Sequence, residues 1–230
     1  MRSSDLRHER ELRRREGYRD VVLHAAERVI LRKGFSALTM DDVAREAQLS
    51  KATIYKYVQG KGVLLFEIMG HYLDDLCGRV AAIADGPGPA GDKLGRVVRV
   101  ILQNNEEMKS INRVLWMDKA MLKLMRVFAP PPGKAGAVPP ADRKMMAMLR
   151  LKRQALVDLG ARILAEGVAS GEFRRLETAG AADFIESVLQ GYMHVRFWRG
   201  ESSLPAAAAE DLTRFIFEGI RNPGHPGKEI

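Results

Sequence analysis

Residues 39–61 read TMDDVAREAQLSKATIYKYVQGK, and their reading decides the fold. Thr39 is a good helix N-cap, and Asp42, three positions on, can reach back to it in a capping box. Val43 and Ala44 supply an apolar face, Ala47-Gln48-Leu49 makes a turn, and Ser50 is a second N-cap. The helix that Ser50 opens runs through Lys51, Ala52, Thr53, Ile54, Tyr55, Lys56, Tyr57 and Val58. Two short capped helices joined by a tight turn form a helix-turn-helix. Neither is long enough to stand alone in water, so both must pack on something.

The brace lies just upstream. Tyr18, Val21, Val22, Ala25, Ala26, Val29 and Ile30 recur at helical spacing and make one apolar stripe. Arg32 and Lys33 occupy the last turn, where cations suit the helix dipole, and Gly34 is a natural stop. The expected three-helix core is Val22, Ala26, Ile30, Phe35, Leu38, Val43, Leu49, Ile54 and Val58. Residues 2–16 carry six arginines among acids and read as a basic N-terminal arm, a solvated start to the first helix and, compatibly with that, a source of phosphate or minor-groove contacts. The expected division is an arm at 1–16, a DNA-binding domain at 17–62 and a ligand-binding and dimerisation domain at 63–230.

The run GFSALTMDDVAREAQLSKATIYKYVQGKGVLL resembles the DNA-binding segment of the tetracycline-repressor (TetR) family of bacterial regulators. The likeness extends from about Tyr18 to Leu65. It rests on ordered features: Gly-Phe after the first helix, the capped Thr, the Val-Ala pair, Ser-Lys-x-Thr-Ile-Tyr and the later lysine. There are two departures from the family pattern. Gln48 stands where a turn glycine is usual; a left-handed residue there costs roughly 1 kcal/mol or more. Gly62 and Val63 stand where an acidic residue usually follows the lysine. The resemblance implies an all-α chain, with a helix-turn-helix domain followed by a larger helical regulatory and dimerisation domain.

The second short helix carries the chemistry. Ile54 and Val58 face the core, so Ala52, Tyr55 and Lys56 point away and Lys51 lies at the open N-terminal end. That end of a recognition helix meets base edges in the major groove. Lys51 can donate to guanine, and the Ala52 methyl can touch a thymine methyl. Thr53, Tyr55 and Tyr57 carry hydroxyls suited to phosphates. The resemblance assigns base reading to Lys51, Ala52 and Tyr55, and phosphate holding to Thr53, Tyr57 and Lys61. Lys61 starts the next helix, where a cation opposes the dipole; a phosphate held there by lysine and helix amides would explain it. With Thr39 and Lys56, these eight residues form the expected DNA-contacting set.

The whole chain of 230 residues carries net charge +8 and a pI of about 9.7, a balance that favours an acidic partner. Residues 1–62 hold 14 lysines and arginines against 9 acids, so more than half the excess lies in the quarter with the helix-turn-helix. Cys77 is the only cysteine, which excludes an intrachain disulfide and a cysteine metal site and suits a reducing cytoplasm. The charged start lacks an apolar signal region, and no run approaches the length of a membrane span. The five histidines show no metal-ligand spacing, and there is no nucleophile elbow or phosphate loop, so neither an enzyme nor a cofactor is expected.

Downstream the chain stays helical. Helices are expected over 63–84, 94–108, 111–128, 142–170, 181–198 and 206–221, with APPPGKAGAVPPA (129–141) as a linker. Six of the eleven methionines (Met117, Met121, Met125, Met145, Met146, Met148) fall in the helices flanking that linker. Methionine suits surfaces that accept varied apolar partners. An apolar effector pocket of Trp116, Met117, Met121, Met145, Leu149 and Tyr192 is expected, against the simpler reading of ordinary packing. The resemblance implies that the last two helices pair with a second copy. Their apolar residues Phe184, Val188, Val195, Leu212, Phe215, Ile216 and Ile220, with Gly191 allowing close approach, form the expected dimer interface. Two-fold symmetry also suits a palindromic operator. The function expected is a DNA-binding transcriptional regulator, a repressor released by a small apolar effector. The alternative is a regulator or architectural protein without one.

Overall fold

The computed structural model describes residues 2–108, 140–201 and 206–221. Eight helices are described: α1 (Arg2–Lys33), α2 (Met40–Ala47), α3 (Lys51–Tyr57), α4 (Lys61–Asp85), α5 (Ala90–Glu107), α6 (Pro140–Ala169), α7 (Thr178–Trp198) and α8 (Ala206–Ile220). The only strand-like pairing among the described residues is an isolated bridge between Phe173 and Arg221. The expected helix at 111–128 and nearly all of the expected linker lie outside the described residues, although Pro140 and Ala141 open α6. Proline is suited to a first helical turn, where its missing N–H costs nothing.

The chain divides into two compact units. The first comprises residues 2–72 with 140–150, and the second residues 73–108 with 151–221. In the first unit, α1, α2 and α3 enclose a core of Val22, Ala26, Ile30, Phe35, Leu38, Val43, Ile54 and Val58, all buried. Leu49, expected among them, is half-buried at the turn. One position on α1 is corrected: Val21 is 44% exposed, while Leu23 is 3% exposed. α1 is packed by α2 and α3 and also by the start of α4, where Arg19 pairs with Glu67 and Tyr72 bonds to Glu27. A helix covered on two sides buries more than one stripe. Gly34 follows α1 with φ +83°, and its N–H donates to Ile30 O at 2.8 Å, as a left-handed stop requires.

In the second unit, Leu76, Val80, Leu94, Val98, Leu164 and Phe173 belong to one core shared by α4, α5, α6, α7 and α8. Lys93 is 7% exposed; its Nζ donates to Ala84 O at 3.0 Å and pairs with Glu166 at 2.7 Å, so a buried charge is fully engaged. The Gly91 N–H donates to Glu172 Oε1 at 2.9 Å, tying the start of α5 to the α6–α7 loop. None of the described helices is long and apolar enough to cross a membrane.

Candidate nucleic-acid interface

Both expected caps form. Asp42 N–H donates to Thr39 Oγ1 at 3.2 Å, and Thr39 N–H donates to Asp42 Oδ2 at 2.9 Å, completing the capping box. Such a cap contributes about 1 kcal/mol. Ser50 receives the Thr53 N–H at 3.1 Å and opens α3. Between them Gln48 sits at φ 55°, ψ 37°, left-handed, with its N–H donating to Arg45 O at 3.2 Å. Its side chain is exposed, so the strain has no packing to offset it. Gln48→Gly is expected to stabilise the protein by about 1 kcal/mol. A melting temperature raised by about 2–4 °C checks this; a fall would show that the glutamine is needed.

Carboxylates of α2 fasten it to α1. Lys33 pairs with Asp42, and Arg28 and Arg32 both reach Glu46, at 2.7 and 3.0 Å. The Lys33 and Thr39 hydrogen bonds hold the Asp42 carboxyl far below the usual carboxylate range, and the Arg28 and Arg32 bonds lower that of Glu46. Both stay ionised well below neutral pH. The acids of α2 therefore face its brace, with one exception. Asp41 pairs with Lys51 across the two N-terminal turns, 2.8 Å from Oδ1 to Nζ. Its carboxylate holds Lys51 above the ordinary lysine value.

Burial sorts α3 into two faces. Ile54 and Val58 are fully buried, whereas Lys51, Ala52, Tyr55 and Lys56 are exposed. Thr53 is half-buried with its hydroxyl 2.8 Å from Ser50 Oγ. Tyr57 stacks on Tyr18 of α1, ring centroids 5.4 Å apart and planes within 12°. Lys56 Nζ stands 6.0 Å from the Tyr57 ring centre. Lys61 has an engagement that the sequence does not reveal. Its Nζ donates to Ser36 O at 2.7 Å and lies 4.7 Å from the Phe35 ring centre. Those contacts offset its unfavourable place at the start of α4 and pin the α1–α2 turn.

Three partners were not visible to sequence reasoning: Asp41 for Lys51, Tyr18 for Tyr57 and the Ser36 carbonyl for Lys61. Tyr18 was legible only as one member of an apolar stripe. A backbone carbonyl leaves no mark on a side-chain pattern at all.

Of the expected effector pocket, Trp116, Met117 and Met121 lie outside the described residues. Met145 is half-buried and Leu149 fully buried on the part of α6 in the first unit. Tyr192 is on α7 in the second unit, beside a groove that also involves Leu212 and Phe215 of α8. A different apolar cavity, of about 40 Å3, lies within the second unit among α5, α6 and α7. Leu94, Val98, Val157, Leu164, Ile185 and Leu189 are among its lining. At its edge Glu186 is held by Arg153 at 2.6 Å.

The expected dimer residues separate into two sets. Phe184 is 68% exposed, Val195 47% and Phe215 65%; Gly191 is exposed, and Val188 and Leu212 are half-buried. Ile216 and Ile220 are 6% and 8% exposed and belong to the core. Their assignment to an interface is corrected on that ground, because the opposite face of α8 is the one left open. Trp198, 65% exposed, extends the α7 stripe by one more turn. Among the described residues, no group of three or more His, Cys, Asp or Glu side chains could hold a metal ion.

Comparison with known proteins bears on both units. Residues 22–68 match the profile of the bacterial regulatory proteins, tetR family. The chain is 43% identical over 54 residues to the uncharacterized HTH-type transcriptional regulator YdeS of Bacillus subtilis, a match covering 24% of this chain and 27% of that protein. It is 37% identical over 89 residues to the HTH-type transcriptional regulator BetI of Agrobacterium fabrum, covering 38% and 43%. These matches thus span well under half of either relative. Among solved structures, a transcriptional regulator of the TetR/AcrR family from Thermobifida fusca superposes with a TM-score of 0.61 at 25% identity, covering 89% of this chain and 98% of that one. The FadR regulator of Bacillus subtilis, crystallised with stearoyl-CoA, gives a TM-score of 0.67 at 15% identity, covering 87% and 98%.

Proposed function

We propose, from the premise that this chain belongs to the tetR family of bacterial regulatory proteins, that it is a homodimeric repressor working on chromosomal DNA in the cytoplasm and released by a small apolar effector. The observation that carries the DNA-binding part is the division of α3. Ile54 and the C-cap Val58 are buried, while Lys51, Ala52 and Tyr55 stand exposed on a helix capped at both ends. A recognition helix needs that division, because base edges are read by side chains that owe nothing to the core.

Thr39, Thr53, Tyr57 and Lys61 supply backbone contacts in this reading, which set register without specifying sequence. Lys61 retains donors beyond the one given to Ser36, so structural and phosphate roles coexist. Lys51 must share or leave Asp41 to reach a base. A carboxylate beside a base-reading lysine disfavours a phosphate at that spot and so favours docking in one register.

The effector part rests on the apolar cavity among α5, α6 and α7. At about 40 Å3 it holds little more than a water, so a ligand has to open it and thereby shift the packing of the helices around it. Ligand-released repression requires a coupling of about 1–3 kcal/mol between the effector and DNA sites. The similarly folded FadR holds stearoyl-CoA, which makes long-chain acyl-CoA the first probe to add.

The test is selection of bound fragments from genomic DNA by the purified protein, followed by binding in excess scrambled duplex. Recovery of one palindromic sequence that survives the competitor supports the reading. Binding that scrambled DNA abolishes would make the protein architectural instead. Acyl-CoA that releases the selected duplex supports the effector part; no release by acyl-CoA or by a panel of apolar compounds would remove it.

A further inference from the structure

α1 does not begin where its core stripe begins. It is one unbroken helix from Arg2, so about four turns of it precede Tyr18, the first residue of that stripe. At 100° per residue, Arg10, Arg14 and Tyr18 fall on one stripe with Glu11 at its edge, while Glu9 and Glu16 fall on the far side. That stripe meets α3. The Arg14 guanidinium stands 5.6 Å from the Tyr18 ring centre, Tyr18 stacks on Tyr57 at 5.4 Å, and Lys56 Nζ is 6.0 Å from the Tyr57 ring. Two cations thus flank a two-ring stack that joins the arm to the recognition helix. Arg10 and Arg14 are both exposed.

We infer that the N-terminal extension is a rigid second DNA-contacting element, in which Arg10 and Arg14 grip phosphates beyond the half-site read by α3, held in register by the Tyr18–Tyr57 stack. The inference rests on the DNA-binding reading above and specifies how the arm takes part. Helix geometry decides between the two contacts open to a basic arm. A helix with its side chains is about 10–12 Å across, whereas the minor groove of B-DNA is about 6 Å wide. An extended arm can enter that groove and this helix cannot. Arginines along a helix can instead follow the phosphate backbone. Arg10 and Arg14 stand about 6 Å apart along the axis, close to the spacing of successive phosphates on one strand. Stacking on Tyr18 fixes the Arg14 guanidinium before DNA arrives, which lowers the ordering cost of the contact.

The test measures affinity against salt for a duplex recovered by the wild-type protein from a randomised pool. Arg10→Gln with Arg14→Gln is expected to flatten the log K against log[salt] slope by about 2 per protomer, about 4 for a dimer. The preferred sequence should stay unchanged. Arg10→Lys with Arg14→Lys should restore the slope, and Tyr18→Phe, which keeps the stack, should leave it alone. Arg99→Gln with Arg175→Gln, an equal loss of charge on two exposed arginines of the second unit, is the control and should have no effect on it. A slope unmoved by the double glutamine variant overturns the inference. So does a changed preference at the outer base pairs, which would signal groove reading. If the wild-type protein recovers no sequence from the pool, the DNA-binding proposal itself fails, an outcome distinct from both.

Discussion

Replacing Phe184 and Phe215 together by arginine is expected to leave the protomer folded, abolish self-association and weaken operator binding by about 10²–10⁴-fold. Both rings are about two-thirds exposed, at 68% and 65%, so their loss removes little from the core. Burying a phenylalanine contributes about 1.5–3 kcal/mol, and four large apolar side chains of α7 and α8 (Phe184, Val195, Trp198, Phe215) stand open. Phe184, Val188, Gly191, Val195 and Trp198 recur at three- and four-residue spacing along α7, the pattern of a seam between helices. A Cβ added at Gly191 would meet nothing within 4 Å, so a facing helix can come close there. Two arginines in such a seam would bring like charges together without partners, and separated protomers would bind half-sites independently. Light scattering, circular dichroism and anisotropy on the selected duplex read the three quantities. A wild-type protein that scatters as a monomer, or a variant that remains a dimer, would end this assignment.

How far the sequence led is clearest at individual positions. Thr39, Asp42 and Ser50 were legible because caps are local: each hydrogen bond closes within three residues. Gln48 was legible for the same reason, since the turn geometry names the residue it wants. The face of α3 is legible because Ile54 on the helix and Val58 at its C-cap are the strongly apolar positions there. Tertiary pairing was not legible. Nothing in the spacing distinguishes Tyr18 as the platform for Tyr57, or marks Asp41 as the partner of Lys51 ten residues on. On α8 periodicity identifies apolar residues without saying which side is covered. Ile216 and Ile220 turn inward while Phe215 turns outward, and only the packing of α5 against α8 decides that. Of the effector residues expected from methionine content, Trp116, Met117 and Met121 lie outside the described residues. Methionine content marks a stretch as adaptable, but a cavity is a relation among three helices, and its lining residues are ordinary Leu, Val and Ile.

Gly167→Ala is expected to destabilise the protein by about 2–4 kcal/mol, against the sign that helix propensity alone would give. Gly167 lies within α6, where alanine is normally worth about 1 kcal/mol more than glycine. A Cβ there, however, would lie 2.8 Å from Phe173 Cγ and nearer still to Cδ2 and Cε2. Phe173 cannot step aside cheaply. It is 2% exposed, its ring sits 6.2 Å from that of Phe217, and its N–H donates to Gly167 O at 2.9 Å. Arg174 fixes the next residue through two bonds to α8, N–H to Ile220 O and Nε to Gly219 O, both at 2.9 Å. The new methyl must therefore expel the ring, and displacing a buried phenylalanine costs about 3–5 kcal/mol, less the propensity gained. A melting temperature lowered by about 5–15 °C is the expected reading. Gly160→Ala provides the internal control on the same helix. Its Cβ would meet only Ala182 Cβ, at 3.7 Å, so propensity should prevail and stability should hold or rise. If Gly167→Ala were as stable as Gly160→Ala, the close approach of Phe173 to α6 would be wrong, and with it the anchoring of the α6–α7 loop.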